Sequence, residues 1–195
     1  MSSSKITVIE TKLLAQGWGR LTSTRIDYRR DDGTVTPMTR EVYDHGDAAS
    51  ILLVDPGRDT VLLVRQFRYP VLANGDENCF ILEACAGLLE GDDPLACVRR
   101  EAEEETGHAP QNIRHIRDCY LSPGSLKERV SLFIGEYDAT TRRHAGGGLA
   151  EEGEEIELVE LAIPDALAAL SDGRIIDGTT TILLQHLALE RLQRR

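Results

Sequence analysis

Residues 87–107 read GLLEGDDPLACVRREAEEETG, and the fold turns on how its acidic half is understood. Asp92 or Asp93 suits a helix cap, proline favours the first helical position, and glycine suits the end. The spacing therefore predicts a helix over 94–106, closed by Gly107. At roughly 100° per residue, Leu95, Val98 and Ala102 share one face and are expected in the core. Glu101, Glu104 and Glu105 fall within roughly 100° of arc beside that stripe, while Glu103 points elsewhere. Glu101 and Glu105 stand at i,i+4, where like charges repel by roughly 0.2–0.5 kcal/mol. Two readings follow. Either the helix presents a solvated acidic face, or the carboxylates await a hard divalent cation that turns repulsion into coordination. In the second case the carbonyls of the preceding loop, ACAGLLEGDD (84–93), are further oxygen donors.

Working outward, FILEACAGLLEGDD (80–93) begins as a strand and dissolves into that loop. ILLV (51–54) and VLLVRQF (61–67), separated by the turn-rich DPGRDT, read as buried strands. RLTSTRIDYRR (20–30) and TVTPMTREVYD (34–44) flank Asp31-Asp32-Gly33, a strong hairpin signal. Downstream, RVSLFIGEY (129–137) is a strand, TTRRHAGGGLAEEGEE (140–155) a loop and IELVELAI (156–163) another strand. Two amphipathic helices close the chain, PDALAALSDG (164–173) and TILLQHLALERLQRR (181–195). Strands and helices alternate without strict βαβ order, so the class is α+β, a sandwich with a mixed sheet.

The 195 residues suffice for one substantial core. A net charge of −11 argues against a nucleic-acid partner, since phosphates would be repelled unless a local basic patch overrode the field. An anionic substrate can still be taken if cations mediate the contact. No run approaches the ~18 apolar residues of a membrane span, and MSSSKITVIE lacks a signal-peptide layout, so cytoplasmic residence is expected. Cys79, Cys85, Cys97 and Cys119 show no CxxC spacing and form no metal-ligand pairs with the histidines. They read as reduced, packed thiols.

The quoted stretch resembles the signature of the Nudix hydrolases, Gly-x5-Glu-x7-Arg-Glu-U-x-Glu-Glu-x-Gly-U, where U is apolar. Arg100 to Gly107 match without a gap. Upstream, Gly87 lies one residue nearer Arg100 than the general pattern, Asp92 or Asp93 replaces a glutamate, and His108 stands where an apolar residue is expected. The shortened spacing, EACAGLL, SPG (122–124), AGGG (145–148), DG (177–178), REVYDHG (40–46) and VRQFR (64–68) are similar to the GDP-mannose pyrophosphatase branch of the ADP-ribose pyrophosphatase group. The likeness covers about residues 5–190.

That resemblance implies a Nudix α/β/α sandwich over 46–195, with an N-terminal β-hairpin region, 1–45, exchanged in a homodimer. It implies Mg²⁺-dependent (or Mn²⁺-dependent) hydrolysis of a nucleoside diphosphate sugar, GDP-mannose giving GMP and mannose 1-phosphate. The alternatives are an ADP-ribose pyrophosphatase giving AMP and ribose 5-phosphate, and a non-catalytic nucleotide-sugar sensor. The implied metal ligands are the Ala86 carbonyl, Glu101, Glu105 and Glu154, with Glu152 and Glu155 as alternatives to the last and Glu104 as an additional or bridging ligand. Glu128, in SPGSLKERV, matches the family's mobile-loop glutamate and is the candidate general base. Arg100 is expected to orient the box glutamates. Arg68 is the candidate phosphate donor, whereas Arg65 reads equally as an ion-pair partner. Thr39, Arg40 and Glu41 match the nucleotide-contacting segment, and Trp18, within Gly-Trp-Gly, the base-stacking aromatic. The backbone of Gly87, Leu88 and Gly153 is expected to line the site, and Thr179, a substrate-binding candidate, stands where relatives often carry a lysine, which implies a weakened phosphate or sugar contact. Pro123 fits the proline this group carries downstream of its box.

Overall fold

The structure, a computed structural model, describes residues 5–149, 153 and 155–193. The chain divides into two compact units.

The first unit comprises Met1–Asp47 and Tyr120–Arg129. Its antiparallel sheet has the order β1-β2-β3, from Ile6–Gln16, Arg20–Arg29 and Val35–Asp44. The expected hairpin is present. At its turn Gly33 adopts φ 85°, and the Asp32 carboxylate accepts from both the backbone N–H and the hydroxyl of Thr34. β1 was not anticipated. All eleven of its residues are exposed, so ITVIETKLLAQ carries none of the alternation by which a half-buried strand is recognised. The 120–129 segment is stitched to β3 by two backbone bonds, Tyr43 N–H to the Ser125 carbonyl and Lys127 N–H to the Tyr43 carbonyl.

The second unit comprises Ala48–Cys119 and Val130–Arg195. In chain order it contains β4 (Ala48–Asp55), β5 (Thr60–Phe67), α1 (Tyr69–Ala73), β6 (Phe80–Glu83), β7 (Cys85–Leu88), α2 (Pro94–Thr106), β8 (Gln111–Cys119), β9 (Val130–Glu136), β10 (Glu157–Ala162), α3 (Ile163–Ser171) and α4 (Gly178–Gln193). The seven strands form one sheet with the path β10-β5-β4-β9-β8, on which β6 pairs with β5 and β7 with β4. Only the β4–β9 pair is parallel among the described ladders, so the sheet is mixed.

β4 is buried at all eight positions because both sheet faces are covered, which is why ILLV is continuous rather than alternating. Leu52 and Val54 pack with Ala166, Leu183 and Leu184 of α3 and α4, while Ile51 and Leu53 pack with Val98 and Ala102 of α2. Each such fully buried Leu or Ile contributes about 1.5–3 kcal/mol. β8 escaped the sequence reading for the opposite reason. It is a largely polar edge strand, with two register shifts against β9 and Asn112 at φ 48°. The five-residue α1 was also not expected. Among the described residues, no helix is long and apolar enough to cross a membrane.

Candidate active site

The box helix forms as its sequence dictates. Asp93 caps α2, its Oδ1 accepting from Leu95 N–H at 3.0 Å and Ala96 N–H at 3.2 Å. Pro94 opens the helix. Gly107 ends it in the left-handed region (φ 74°), donating to the Glu103 carbonyl. The buried face is Cys97, Val98, Ala102 and Glu105. Leu95 departs from expectation and is exposed, because its first-turn position lies beyond the sheet contact.

The three glutamates occupy two environments. Glu104 and Glu101 are half-buried, whereas Glu105 is 1% exposed. Arg100 bridges two of them as expected. Its Nη1 lies 2.9 Å from Glu101 Oε1 and 3.1 Å from Glu104 Oε2, and its Nε is 3.8 Å from Asp92. One guanidinium thus faces three carboxylates and leaves excess negative charge at the helix margin.

Gly87 explains how Glu101 is seated. A Cβ built there would stand 1.9 Å from Glu101 Oε1 and 2.1 Å from its carboxyl carbon. Only glycine therefore lets the carboxylate lie against the backbone next to Ala86. Antiparallel pairing with β4 holds that backbone in place (Ala49 opposite Gly87, Ser50 opposite Ala86). The thiol of Cys97 donates to the carbonyls of Gly87 and Leu88, at 3.6 and 3.5 Å, pinning the same corner from the helix side. Cys85 hydrogen-bonds to Glu105. Burial first, and that carboxylate second, push the thiol well above the usual range, so it stays protonated.

The glycine-rich loop closes the corner. Gly147 and Gly148 N–H groups donate to the Glu105 and Glu104 carbonyls, and Ile156 N–H donates to the Gly147 carbonyl. Gly146 has no room for a Cβ, which would sit 2.6 Å from the Glu105 carbonyl oxygen. The glycine run therefore lies against the C-terminal turn of the box helix, and Ile156 is bonded to that run at Gly147. In the acidic loop, Gly153 is an exposed turn residue with φ 76°, while Glu152 and Glu154 lie outside the described residues.

Among the described residues no three His, Cys, Asp or Glu side chains already form a metal-binding group. The expected set reaches only two described side chains, Glu101 and Glu105, plus one backbone carbonyl, Ala86. The donor chemistry still fits a hard divalent cation. All donors are oxygen, the charge is in excess, and Gly87 leaves a cradle that any Cβ would fill.

Elsewhere in this unit, Arg68 Nε donates to both oxygens of Glu83, at 3.2 and 2.9 Å, so this edge of the guanidinium is committed. Burial raises the Glu83 carboxyl despite the opposing Arg68. Arg65 pairs with Glu157 across the β5–β10 ladder at 2.6 Å, the structural role open to it from sequence. Thr179 is buried in the first turn of α4, beside Thr180, whose hydroxyl accepts from Ala84 N–H and donates to Asp177.

The remaining candidates lie in the first unit. Thr39, Arg40 and Glu41 are exposed on β3, and Trp18 is 76% exposed. The Trp18 indole stacks on His45 with centroids 4.9 Å apart. Glu128 is half-buried and faces His45; burial raises its carboxyl, His45 opposes the rise, and Asp47 adds to it. His45 was not singled out as a site residue, although it lies inside the quoted REVYDHG. Its significance comes from packing, which no local motif displays.

The glutamate-bearing helix seats Glu101 on a glycine cradle, beside a mixed sheet covered on both faces. A NUDIX domain model matches residues 44–178, and the chain belongs to the Nudix family. Residues 5–43 match a model described as the GDP-mannose pyrophosphatase NudK N-terminal domain. Among curated relatives, the GDP-mannose pyrophosphatase of Pectobacterium atrosepticum is 48% identical over 184 residues, covering 94% of each chain. That of Citrobacter koseri is 44% identical, over 95% of this chain and 96% of the relative. That of Escherichia coli O1:K1 is 41% identical, over 97% and 98%. A crystal structure described as an ADP compounds hydrolase superposes with a TM-score of 0.73, at 15% identity, over 99% of this chain and 97% of that one. That likeness speaks to the fold.

Proposed function

We propose that this chain hydrolyses the pyrophosphate bond of a nucleoside diphosphate sugar in a Mg²⁺-dependent reaction, with GDP-mannose as substrate and GMP and mannose 1-phosphate as products. The observation that carries this reading is the cradle at Gly87, against which the Glu101 carboxylate lies. Relatives of 41–48% identity named GDP-mannose pyrophosphatase supply the substrate class.

The Ala86 carbonyl, Glu101, Glu105 and Glu154 would hold the ion, with Glu104 alongside. When bound, Mg²⁺ (or Mn²⁺) neutralises diphosphate charge and lowers the pKa of water. Arg100 keeps Glu101 and Glu104 oriented through its two short contacts. Glu128 accepts the proton of the water whose oxygen attacks phosphorus as the bridging P–O bond breaks. Its carboxyl, raised by burial, moves toward the working pH, where a general base is most effective. Arg68 grips phosphate with the part of its guanidinium that Glu83 does not hold. Trp18 stacks on the nucleobase, Thr39, Arg40 and Glu41 contact the nucleotide, and the backbone of Gly87, Leu88 and Gly153 lines the site. Thr179, in the first turn of α4, makes a weaker phosphate or sugar contact than a lysine there would.

The proposal includes a homodimer in which the 1–45 hairpin region is exchanged. Ile6, Val8, Ile9, Leu13 and Leu14 are all exposed, on both faces of β1. Such a run of exposed aliphatic residues is a surface that a second copy of the chain would cover.

The test is a panel of GDP-mannose, ADP-ribose and ADP-glucose, with and without Mg²⁺, scored by liberated nucleoside monophosphate. GDP-mannose is expected to give the highest kcat/KM, and chelation to abolish turnover. A clear preference for an adenine nucleotide would overturn the substrate assignment.

A further inference from the structure

We propose that His45 is a positioning residue for Glu128, linking the aromatic platform of Trp18 to the proton-accepting carboxylate. The inference rests on the reading above that Glu128 is the general base.

Two rings fix the imidazole. Trp18 lies over it at 4.9 Å with an interplanar angle of 17°, and Tyr43 leans against it at 5.5 Å and 52°. The platform is built for this contact. Gly19 carries no side chain because a Cβ there would stand 2.7 Å from the Tyr43 ring, so the Gly-Trp-Gly turn can lie on β3. The His45 side chain is 12% exposed and its Nδ1 is buried without a hydrogen-bond partner. Its Nε2 faces Glu128 Oε1 at 3.9 Å, an ion-pair separation once the ring is protonated.

Glu128 is held in register on both sides. Lys127 N–H donates to the Tyr43 carbonyl, and Arg129 N–H donates to Asp47 Oδ1 at 3.0 Å. The surrounding charges have other partners. Lys127 and Arg20 both bind Asp44, at 2.8 and 3.1 Å, and Asp47 acts on Glu128 as a like charge. His45 is the neighbour that opposes the rise of the Glu128 carboxyl. The outer face of Trp18 is open, so a nucleobase stacked there completes a row of three rings whose innermost member meets the carboxylate. Occupying the base subsite then restrains the group that takes the proton, and base binding acts on kcat as well as on KM.

The experiment uses the full chain with GDP-mannose and Mg²⁺, recording kcat, KM and the pH profile of kcat for wild type, His45→Phe, His45→Gln, Glu128→Gln and His45→Phe/Glu128→Gln. Phenylalanine keeps the stack and removes both nitrogens. For His45→Phe, kcat is expected to fall roughly tenfold or more, a fraction of the ~10²–10⁴ a general base supplies, with KM changed less than about threefold. The acid limb of the profile should move to higher pH, because Glu128 loses the neighbour that lowers its carboxyl and holds its proton more tightly. Glutamine, a neutral donor, should recover part of kcat while leaving the acid limb displaced. The double variant should be no slower than Glu128→Gln alone. Wild-type kcat and an unmoved acid limb in His45→Phe, with Glu128→Gln inactive, overturn the role of His45 and leave the base assignment standing. Near-wild-type turnover of Glu128→Gln overturns the base assignment itself. Should His45→Phe fail to fold, as read by thermal melting, the acid limb of His45→Gln decides: displaced supports the role, unmoved overturns it.

Discussion

β4 and β1 are both rich in aliphatic residues and have opposite fates. All eight residues of β4 are buried, while all eleven of β1 are exposed. The difference separates what one chain completes from what it leaves open. The second unit closes its core on both sheet faces, with helices over each. The first unit spends Ile6, Val8, Ile9, Leu13 and Leu14 on solvent. The glutamate box sits on the closed unit. The surfaces proposed for nucleotide contact and assembly sit on the open one.

The comparison breaks most sharply at the box. Glu105→Gln preserves shape at a position that is 1% exposed, so thermal stability is expected to stay within a few degrees, while kcat drops by at least ~10²-fold, the scale of losing one preorganised electrostatic contact. Wild-type turnover in this variant would falsify the assignment of Glu105 to the metal set. Gly87→Ala comes next. Its new methyl would meet Glu101 Oε1 at 1.9 Å and displace the carboxylate, lowering activity about tenfold to a hundredfold at fixed Mg²⁺. Raising Mg²⁺ should restore part of the loss. A Mg²⁺ titration superimposable on wild type would remove Gly87 from any role in seating the ion.

The same contrast explains what the sequence could reveal. The α2 cap, proline and terminal glycine are local chemistry, and the structure reproduces them at Asp93, Pro94 and Gly107. Buried strands such as β4 and β9 announce themselves as aliphatic runs. β1 and β8 do not, because an exposed or edge strand is paired by backbone bonds that leave no side-chain period. The glutamate box was legible as a motif, but the reason for Gly87 was not. A residue's missing Cβ becomes informative only when its spatial neighbour, Glu101, is known. His45 was equally silent, since rings from Gly-Trp-Gly and from β3 meet there only after folding.

A smaller effect sharpens the open side of the comparison. Val8→Lys with Leu13→Lys places charges on the exposed face of β1 and leaves the second unit's core untouched. Light scattering is expected to show dissociation of the proposed dimer, with KM for the nucleotide sugar rising about tenfold, the equivalent of ~1.4 kcal/mol of contacts. A dimer that survives both lysines would place its interface elsewhere.

The smallest effect belongs to His108, which occupies an apolar position of the Nudix pattern yet is buried. Its Nδ1 lies 2.9 Å from the Thr141 hydroxyl and its ring meets the edge of Tyr137 at 5.1 Å. Thr141 retains partners without it, donating to the Asp138 carbonyl and accepting from Asp138 N–H. His108→Leu therefore strands no polar group and should change stability by less than about 1 kcal/mol at pH 7.5. Burial, then Arg142, hold the imidazole below its usual range. The unfolded chain consequently binds this proton more readily, and the folded state loses stability as pH falls through about 6.5. Leucine has no such penalty. Urea melts should show the variant gaining on wild type between pH 7.5 and 5.5, whereas a wild type that gained on acidification would mean that His108 folds as a cation.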